Sequence, residues 1–333
     1  MQLHFAPLQG YTTAIYRKLH HATWGGVAQY YTPFVRIEKG GFRNKDIADI
    51  APHNNTDTPV IPQMLPRDAQ ELQQITLLFL ENGYTHADIN MGCPFPPVAL
   101  HKRGSGILPY KEMVEQLLQA TTHYPEMQYS VKMRLGWENR NEWKELIDIL
   151  NATRLTHITL HPRIGRQQYK GNVDMEAFEE FAQHCNHPII YNGDVNSIAD
   201  IQKLQAQYPQ LSGIMMGRGL LARPYLSTLL TGDLKPSNAE IIERTFAFHN
   251  ALFETLQATS QGETQLLQRA HAMWEYFLPH APRKERKAVV KSHSATQYQQ
   301  AVEKLFTSWL SQDMGDEIFW DTFTNSINEL FYY

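Results

Sequence analysis

The chain has almost no cysteine. Two in 333 residues, Cys93 and Cys185, give no disulfide framework, which points to a reducing compartment and a cytoplasmic protein. Long hydrophobic runs are also missing: nothing approaches the ~20 apolar residues that cross a bilayer. The opening residues Met1-Gln2-Leu3-His4-Phe5 lack a basic region followed by an apolar stretch, so neither a leader nor a membrane partner is expected. No Gly-x-Gly-x-x-Gly fingerprint occurs, which argues against a Rossmann-type dinucleotide site. No set of cysteines and histidines has metal-ligand spacing, so no metal is expected. The net charge of −4 disfavours a nucleic-acid partner unless a basic face is concentrated locally.

What is present is a strand–helix alternation repeated eight times. Candidate strands are Leu3–Ala6, Val27–Thr32, Pro59–Met64, His86–Asn90, Tyr129–Arg134, His157–His161, Pro188–Asn192 and Gly213–Met216. Most are short, continuously apolar and β-branched or aromatic, as strands covered on both faces are. Helical patterns lie between them. Asp68-Ala69-Gln70-Glu71 reads as a capping box opening a helix with Leu72, Ile75, Leu78 and Phe79 on one face. The pattern predicts a (β/α)8 TIM barrel over residues 1–232, with an open doubly wound sheet as the alternative. After a Gly232–Pro236 linker, Ser237-Asn238-Ala239-Glu240 opens a strandless region. It predicts a smaller C-terminal all-α helical bundle over 237–333.

Chemistry concentrates at the strand ends. Cys93 lies in Asn90-Met91-Gly92-Cys93-Pro94, on a turn just past a strand. A buried cysteine is usually a small hydrophobe, whereas a thiol on such a turn faces whatever covers the barrel; both readings stay open here. In Val131-Lys132-Met133-Arg134-Leu135 the apolar residues share one parity, so Lys132 and Arg134 face inward. Two cations inside a barrel are costly without an anion or an electron-rich partner. The same parity turns Gln63, His161 and Asn192 inward. Gly193-Asp194 and Gly217-Arg218-Gly219 follow the last two strands, where such barrels bind phosphate. Farther on, Arg283-Lys284-Glu285-Arg286-Lys287 with Lys291 forms a basic run in an acidic chain, either a solvated helix face or a phosphate contact.

The segments Ala6-Pro7-Leu8-Gln9-Gly10, Asn90–Pro94, Val131–Gly136, His161-Pro162-Arg163, Asn192-Gly193-Asp194 and Gly217-Arg218-Gly219 together resemble the tRNA-dihydrouridine synthases in order and spacing. The resemblance runs through the barrel and fits the tail more loosely. It implies an FMN enzyme that reduces uridine in tRNA to 5,6-dihydrouridine, with NADPH re-reducing the flavin. Carried over, Pro7 and Leu8 would lie against the flavin, with Gln63, Lys132 and His161 bonding its ring. Asn192, Gly193, Asp194, Gly217 and Arg218 would hold its phosphate. Cys93 would protonate C5 of uracil after hydride reaches C6, and Asn90, Arg134 and Tyr169 would contact the base. The basic residues Arg283, Lys284, Arg286, Lys287 and Lys291 would meet tRNA, with His293 and Tyr298 as further candidates. No protein partner is evident.

This chain departs from the family pattern in Thr12-Thr13, in Pro33, in Phe95-Pro96-Pro97 and in Pro162. An FMN barrel acting on a free pyrimidine such as dihydroorotate would share the phosphate loops and the inward lysine. A non-catalytic tRNA-binding protein would need only the basic surface.

Overall fold

The computed structural model describes residues 1–230 and 236–311. Most of the expected linker, Gly232–Lys235, and the segment 312–333 of the expected bundle lie outside the described residues.

Eight parallel strands form a closed ring. They are β1 Gln2–Phe5, β2 Gln29–Tyr31, β3 in two pieces, Val60–Ile61 and Gln63–Met64, β4 His86–Met91, β5 Gln128–Gly136, β6 Leu155–Ile164, β7 Ile189–Asn192 and β8 Gly213–Met216. Pro62 has no N–H to give to a ladder, and it divides β3. The piece before it pairs with β2 and the piece after it with β4, which closes the ring from β3 through β1, β8 and β5 back to β3. A closed ring leaves no edge and excludes the open sheet.

All eight expected strands are present, and β5 and β6 are longer than their apolar cores. They pair with each other from Tyr129 opposite Leu155 to Gly136 opposite Ile164. That pairing carries the polar strand ends, which local propensity does not favour.

Inside the ring, Ala6, Tyr31, Ile61, Ile190 and Met215 pack together, with Leu8 against them. Toward the strand N-termini the Tyr31 hydroxyl bridges His4 Nδ1 at 3.0 Å and His157 Nε2 at 3.1 Å. Between strands run α1 Ala14–Trp24, α2 Ala69–Glu81, α3 Lys111–Gln119, α4 Ile147–Ala152, α5 Met175–His184, α6 Ile198–Gln207 and α7 Arg218–Ala222. Asp68 caps α2 by accepting from the Glu71 amide at 2.9 Å, as its sequence predicts. Leu72, Ile75 and Phe79 on α2 are fully buried, so Phe79→Ala would cost about 3–5 kcal/mol.

The chain divides into two compact units. One comprises Met1–Ala14, Ala28–Asp194 and Leu204–Met216 and holds the ring; the other comprises Ile15–Val27, Val195–Lys203 and the chain from Gly217 on. In the second unit lie α8 Asn238–Thr259, α9 Glu263–Met273, α10 Arg283–Val290 and α11 Ala295–Leu310. Ser237 and Glu240 form the expected capping box at the start of α8. These helices close on an aromatic core in which Phe253 stacks on Tyr298 at 4.9 Å. The Tyr298 hydroxyl meets His249 Nε2 and Trp274 Nε1, both at 2.8 Å. Tyr298 is fully buried, which removes it from the candidate tRNA contacts.

Burial keeps the two barrel histidines neutral, lowering His4 to about 4 and His157 to about 3. Unfolded, both take up protons near pH 6.5. Their contribution is therefore complete above pH 6.5 and is lost as pH falls toward 4 and 3. Chemical denaturation at pH 7, 6 and 5 should show stability falling by up to about 1.4 kcal/mol per pH unit for each such histidine. The double variant His4→Gln, His157→Gln should have a shallower dependence. An unaltered slope would assign the acid sensitivity to the other buried histidines, His20, His249 and His280.

Candidate active site at the C-terminal ends of the strands

The inward parity of β4 carries Asp88 and Asn90 into the barrel, and a chain of hydrogen bonds runs from there to the cysteine. Asp88 accepts from Ser130 Oγ at 2.6 Å and from Gln63 Nε2 at 2.7 Å. Gln63 then presents Oε1 to Asn90 Nδ2 at 2.8 Å. Asn90 Oδ1 is left to accept from the amides of Gly92, at 3.0 Å, and Cys93, at 2.8 Å. Behind the turn, the Cys93 carbonyl accepts from Ser105 N at 3.1 Å and Ser105 Oγ at 2.9 Å. Gly104, at φ +57°, packs so closely that a Cβ there would lie 2.8 Å from Cys93 Cβ. The backbone that carries the thiol is held from both sides.

Burial raises the pKa of the Cys93 thiol, and the Phe95 amide and the charges of Arg134 and Lys132 offset this only in part. The group stays protonated near neutrality, suited to giving up a proton and not to nucleophilic attack. Burial also pushes Asp88 up to about 6 despite its bonds to Ser130 and Gln63. Lys132 is pulled down to about 8, by burial first and by Arg134 second.

β5 aims both cations inward, as its alternation predicts. Lys132 Nζ donates to Asn192 Oδ1 at 2.8 Å, across to β7, and Asn192 Nδ2 donates to the Met215 carbonyl at 2.8 Å. Buried Arg134 donates from Nε to the Gly92 carbonyl at 3.1 Å and from Nη1 to the Ile164 carbonyl at 2.9 Å. The Tyr169 ring, 40% exposed, lies 5.5 Å from the Arg134 guanidinium and 6.4 Å from the His161 ring. Gln63, Asn90, Cys93, Lys132, Arg134, His161, Tyr169 and Asn192 are thus brought together at one end of the barrel. Pro7 and Leu8 follow β1 at that same end, half-buried.

The sequence reading missed Asp88 and Arg163. Arg163 is buried and donates to His161 Nε2 at 3.0 Å and to Asp194 Oδ1 at 3.0 Å, with a second bond to Asp194 Oδ2. A guanidinium only donates, so His161 Nε2 accepts and the ring proton sits on Nδ1. The Asp194 carboxylate is committed to Arg163, and any role with phosphate falls to its backbone. Gly193, at φ +146°, has no room for a side chain, because a Cβ would meet Val173 Cγ1 at 2.9 Å and His161 Cδ2 at 3.2 Å. Both missed residues were detectable by parity: Asp88 is two before Asn90, and Arg163 two after His161. Gly217 and Arg218 directly follow β8 and open α7.

In the helical unit Arg283, Lys284, Lys287 and Lys291 are exposed on and just after α10. Arg286 differs from them. Its guanidinium turns inward and donates to the carbonyls of Trp274 and, at 3.5 Å, Phe277, so it braces the fold instead of adding to the basic face. Cys185 ends α5, half-buried, before β7. Among the described residues no group of three histidine, cysteine or carboxylate side chains could hold a metal ion, and no helix is long and apolar enough to cross a membrane.

The dihydrouridine synthase family matches residues 4–309. The tRNA-dihydrouridine synthase B of Serratia marcescens is 27% identical over 319 residues, 90% of this chain and 91% of that protein. The tRNA-dihydrouridine(16) synthase of Haemophilus ducreyi is 28% identical over 255 residues, 74% of this chain and 78% of that one. Among solved structures, morphinone reductase in complex with tetrahydroNAD superposes with a TM-score of 0.50 over 72% of this chain and 90% of that one. At 8% identity that likeness is one of fold alone. The family match runs from the first barrel strand to the last described helix, and on that ground this chain belongs to the dihydrouridine synthases, a family of oxidoreductase enzymes.

Proposed function

We propose that this protein reduces uridine in tRNA to 5,6-dihydrouridine, with FMN as its cofactor and NADPH as the reductant. The observation that carries the reading is Cys93, held on a rigid turn beside two inward cations, with burial raising the pKa of its thiol. A bound flavin would supply the hydride for C6 of the uracil ring. Cys93 delivers the proton to C5, on the opposite face. Arg134, Asn90 and Tyr169 hold the base, and the guanidinium stabilises charge developing on the uracil oxygens. The uridine leaves the tRNA fold to enter the barrel.

The residues present fit the cofactor. Lys132 uses one of its three donors on Asn192, and burial, with Arg134 beside it, lowers its pKa to about 8. An electron-rich ring edge would accept from the other donors. Gln63 and the Nδ1–H of His161 add donors to the ring, while Pro7 and Leu8 give it an apolar wall. The tight backbone at Gly193 suits amide contacts to a phosphate, with Asn192 and Asp194 flanking it. Gly217 and Arg218 are assigned to the phosphate by their place after β8. Arg283, Lys284, Lys287 and Lys291 form a separate basic face for tRNA.

The purified protein should be yellow and release FMN, not FAD, and Lys132→Met should retain less flavin. A colourless protein that FMN cannot reconstitute would overturn the assignment.

Cys93→Ala should keep its flavin and still be reduced by NADPH. Oxidation of that reduced enzyme by tRNA should slow by ~10²–10⁴-fold, the usual effect of losing a general acid. Dihydrouridine formation at the wild-type rate would show that Cys93 is not the acid.

Reversing Arg283, Lys284, Lys287 and Lys291 to Glu should raise KM for tRNA and flatten its salt dependence by up to roughly one unit of slope per lost contact. Unaltered KM and slope would return this run to a solvated helix face.

A further inference from the structure

The loops after β2, β3 and β4 enclose a second basic feature on the barrel itself. A cavity of about 330 Å³ is walled by Arg36, Arg67, Leu100, His101, Lys102 and Arg103, with no carboxylate in its lining. We propose that this cavity is a phosphodiester subsite, gripping the RNA strand beside the uridine presented to Cys93. The proposal rests on the tRNA reading above and adds a contact that neither the basic helix nor the uracil pocket supplies.

The cations differ in how far they are already committed. Arg103 is structural: it donates to the Leu65 carbonyl at 3.1 Å and to Glu71 at 2.8 Å, fastening the β4 loop to the start of α2. Arg36, partly buried, pairs with Glu38 at 3.1 Å, and Arg67 pairs with Asp68 at 3.0 Å and lies 3.9 Å from Glu71; the Glu38 and Asp68 carboxylates are open to solvent. Surface pairs of this kind are worth about 0–1 kcal/mol, so a phosphate can compete for either guanidinium. The Arg36 Nε is buried without a hydrogen-bond partner, a donor that a ligand oxygen would satisfy. Among the described residues Lys102 has no carboxylate partner, and its ammonium stands 4.0 Å over the Tyr110 ring. Its backbone lies at φ +56°, a region that costs a non-glycine residue of order 1 kcal/mol or more.

The cavity is also near the reacting thiol. The loop from Cys93 to Ser105 closes on itself through the Cys93 carbonyl, and Gly104 touches Cys93. Lys102 is two residues from Gly104, at most about 7–8 Å along the backbone. Arg36 also lowers the Cys93 pKa slightly, less than Arg134 and Lys132 do. On the same loop Phe95 and Leu100 are 58% and 72% exposed, apolar surface that base and ribose faces would cover. An RNA strand offers phosphate oxygens and stackable bases together, which matches a wall of cations flanked by open apolar side chains.

The test uses the flavin-loaded protein and fluorescein-labelled tRNA, with binding read by fluorescence anisotropy across a salt series. The triple variant Arg36→Gln, Arg67→Gln, Lys102→Gln should bind tRNA roughly 10–100-fold more weakly, with a salt slope smaller by up to about 0.7–0.9 per lost phosphate contact. Its flavin content and its rate of reduction by NADPH should match wild type. Lys102→Gln alone should lose several-fold, and Lys102→Arg should restore most of that loss. Wild-type affinity and slope in the triple variant would overturn the proposal. Slower reduction by NADPH with unchanged tRNA binding would overturn it too, assigning the cavity to a phosphate of the reductant. A wild-type protein that binds tRNA but forms no dihydrouridine would sink the catalytic reading instead, and the variant's affinity would still decide the fate of the subsite.

Discussion

One buried carboxylate organises the mouth of this barrel. Asp88 lies on β4, out of contact with solvent, and accepts from both Ser130 and Gln63. Because its oxygens only accept when ionised, the Gln63 amide can bond it in one orientation alone, nitrogen toward the carboxylate. The Gln63 oxygen then faces Asn90 Nδ2, and the Asn90 oxygen is left for the amides of Gly92 and Cys93. Each amide orientation follows from the one before it. The position of the thiol is thus set by a carboxylate five residues upstream through two side-chain amides. Removing a link would leave a buried polar partner unsatisfied, at a cost of about 1–3 kcal/mol.

The same region concentrates charge that the barrel does not fully compensate. Lys132 and Arg134 sit two residues apart on one inward face. Arg134 spends its donors on backbone carbonyls, while Lys132 meets only the neutral oxygen of Asn192. Burial lowers the lysine and raises the carboxyl of Asp88, moving both toward neutrality and toward each other. Perturbed pKa values of this kind cluster at functional sites. The Arg163–Asp194 pair is different, because both its charges are matched within it. It serves to orient His161 and to close the turn after β7.

The barrel was legible because each strand is short, apolar and bounded by helical periodicity, and parity then sorted Lys132, Arg134, Gln63, His161 and Asn192 inward. The same rule extends to Asp88 and Arg163, which escaped notice inside apolar or motif-like surroundings. Tyr298 and Arg286 were misread for a different reason. Each lies in or beside the basic run and has a polar group that composition assigns to the surface. Tertiary contacts instead give the Tyr298 hydroxyl two buried partners and turn the Arg286 guanidinium onto carbonyls of the preceding segment.

By itself, the sequence determined the strand–helix order, the direction of side chains within each strand, and the cysteine turn. All of these depend on residues within a few positions of one another, where periodicity, capping and proline or glycine geometry act locally. Only the tertiary structure decided which inward groups meet. The bond from Lys132 to Asn192 spans 60 residues, that from Arg163 to Asp194 spans 31, and the ladder from Asp88 to Ser130 spans 42. No local pattern encodes such distances. They are set when Pro62 splits β3 between two neighbours and the ring closes, bringing the strand ends around a common axis.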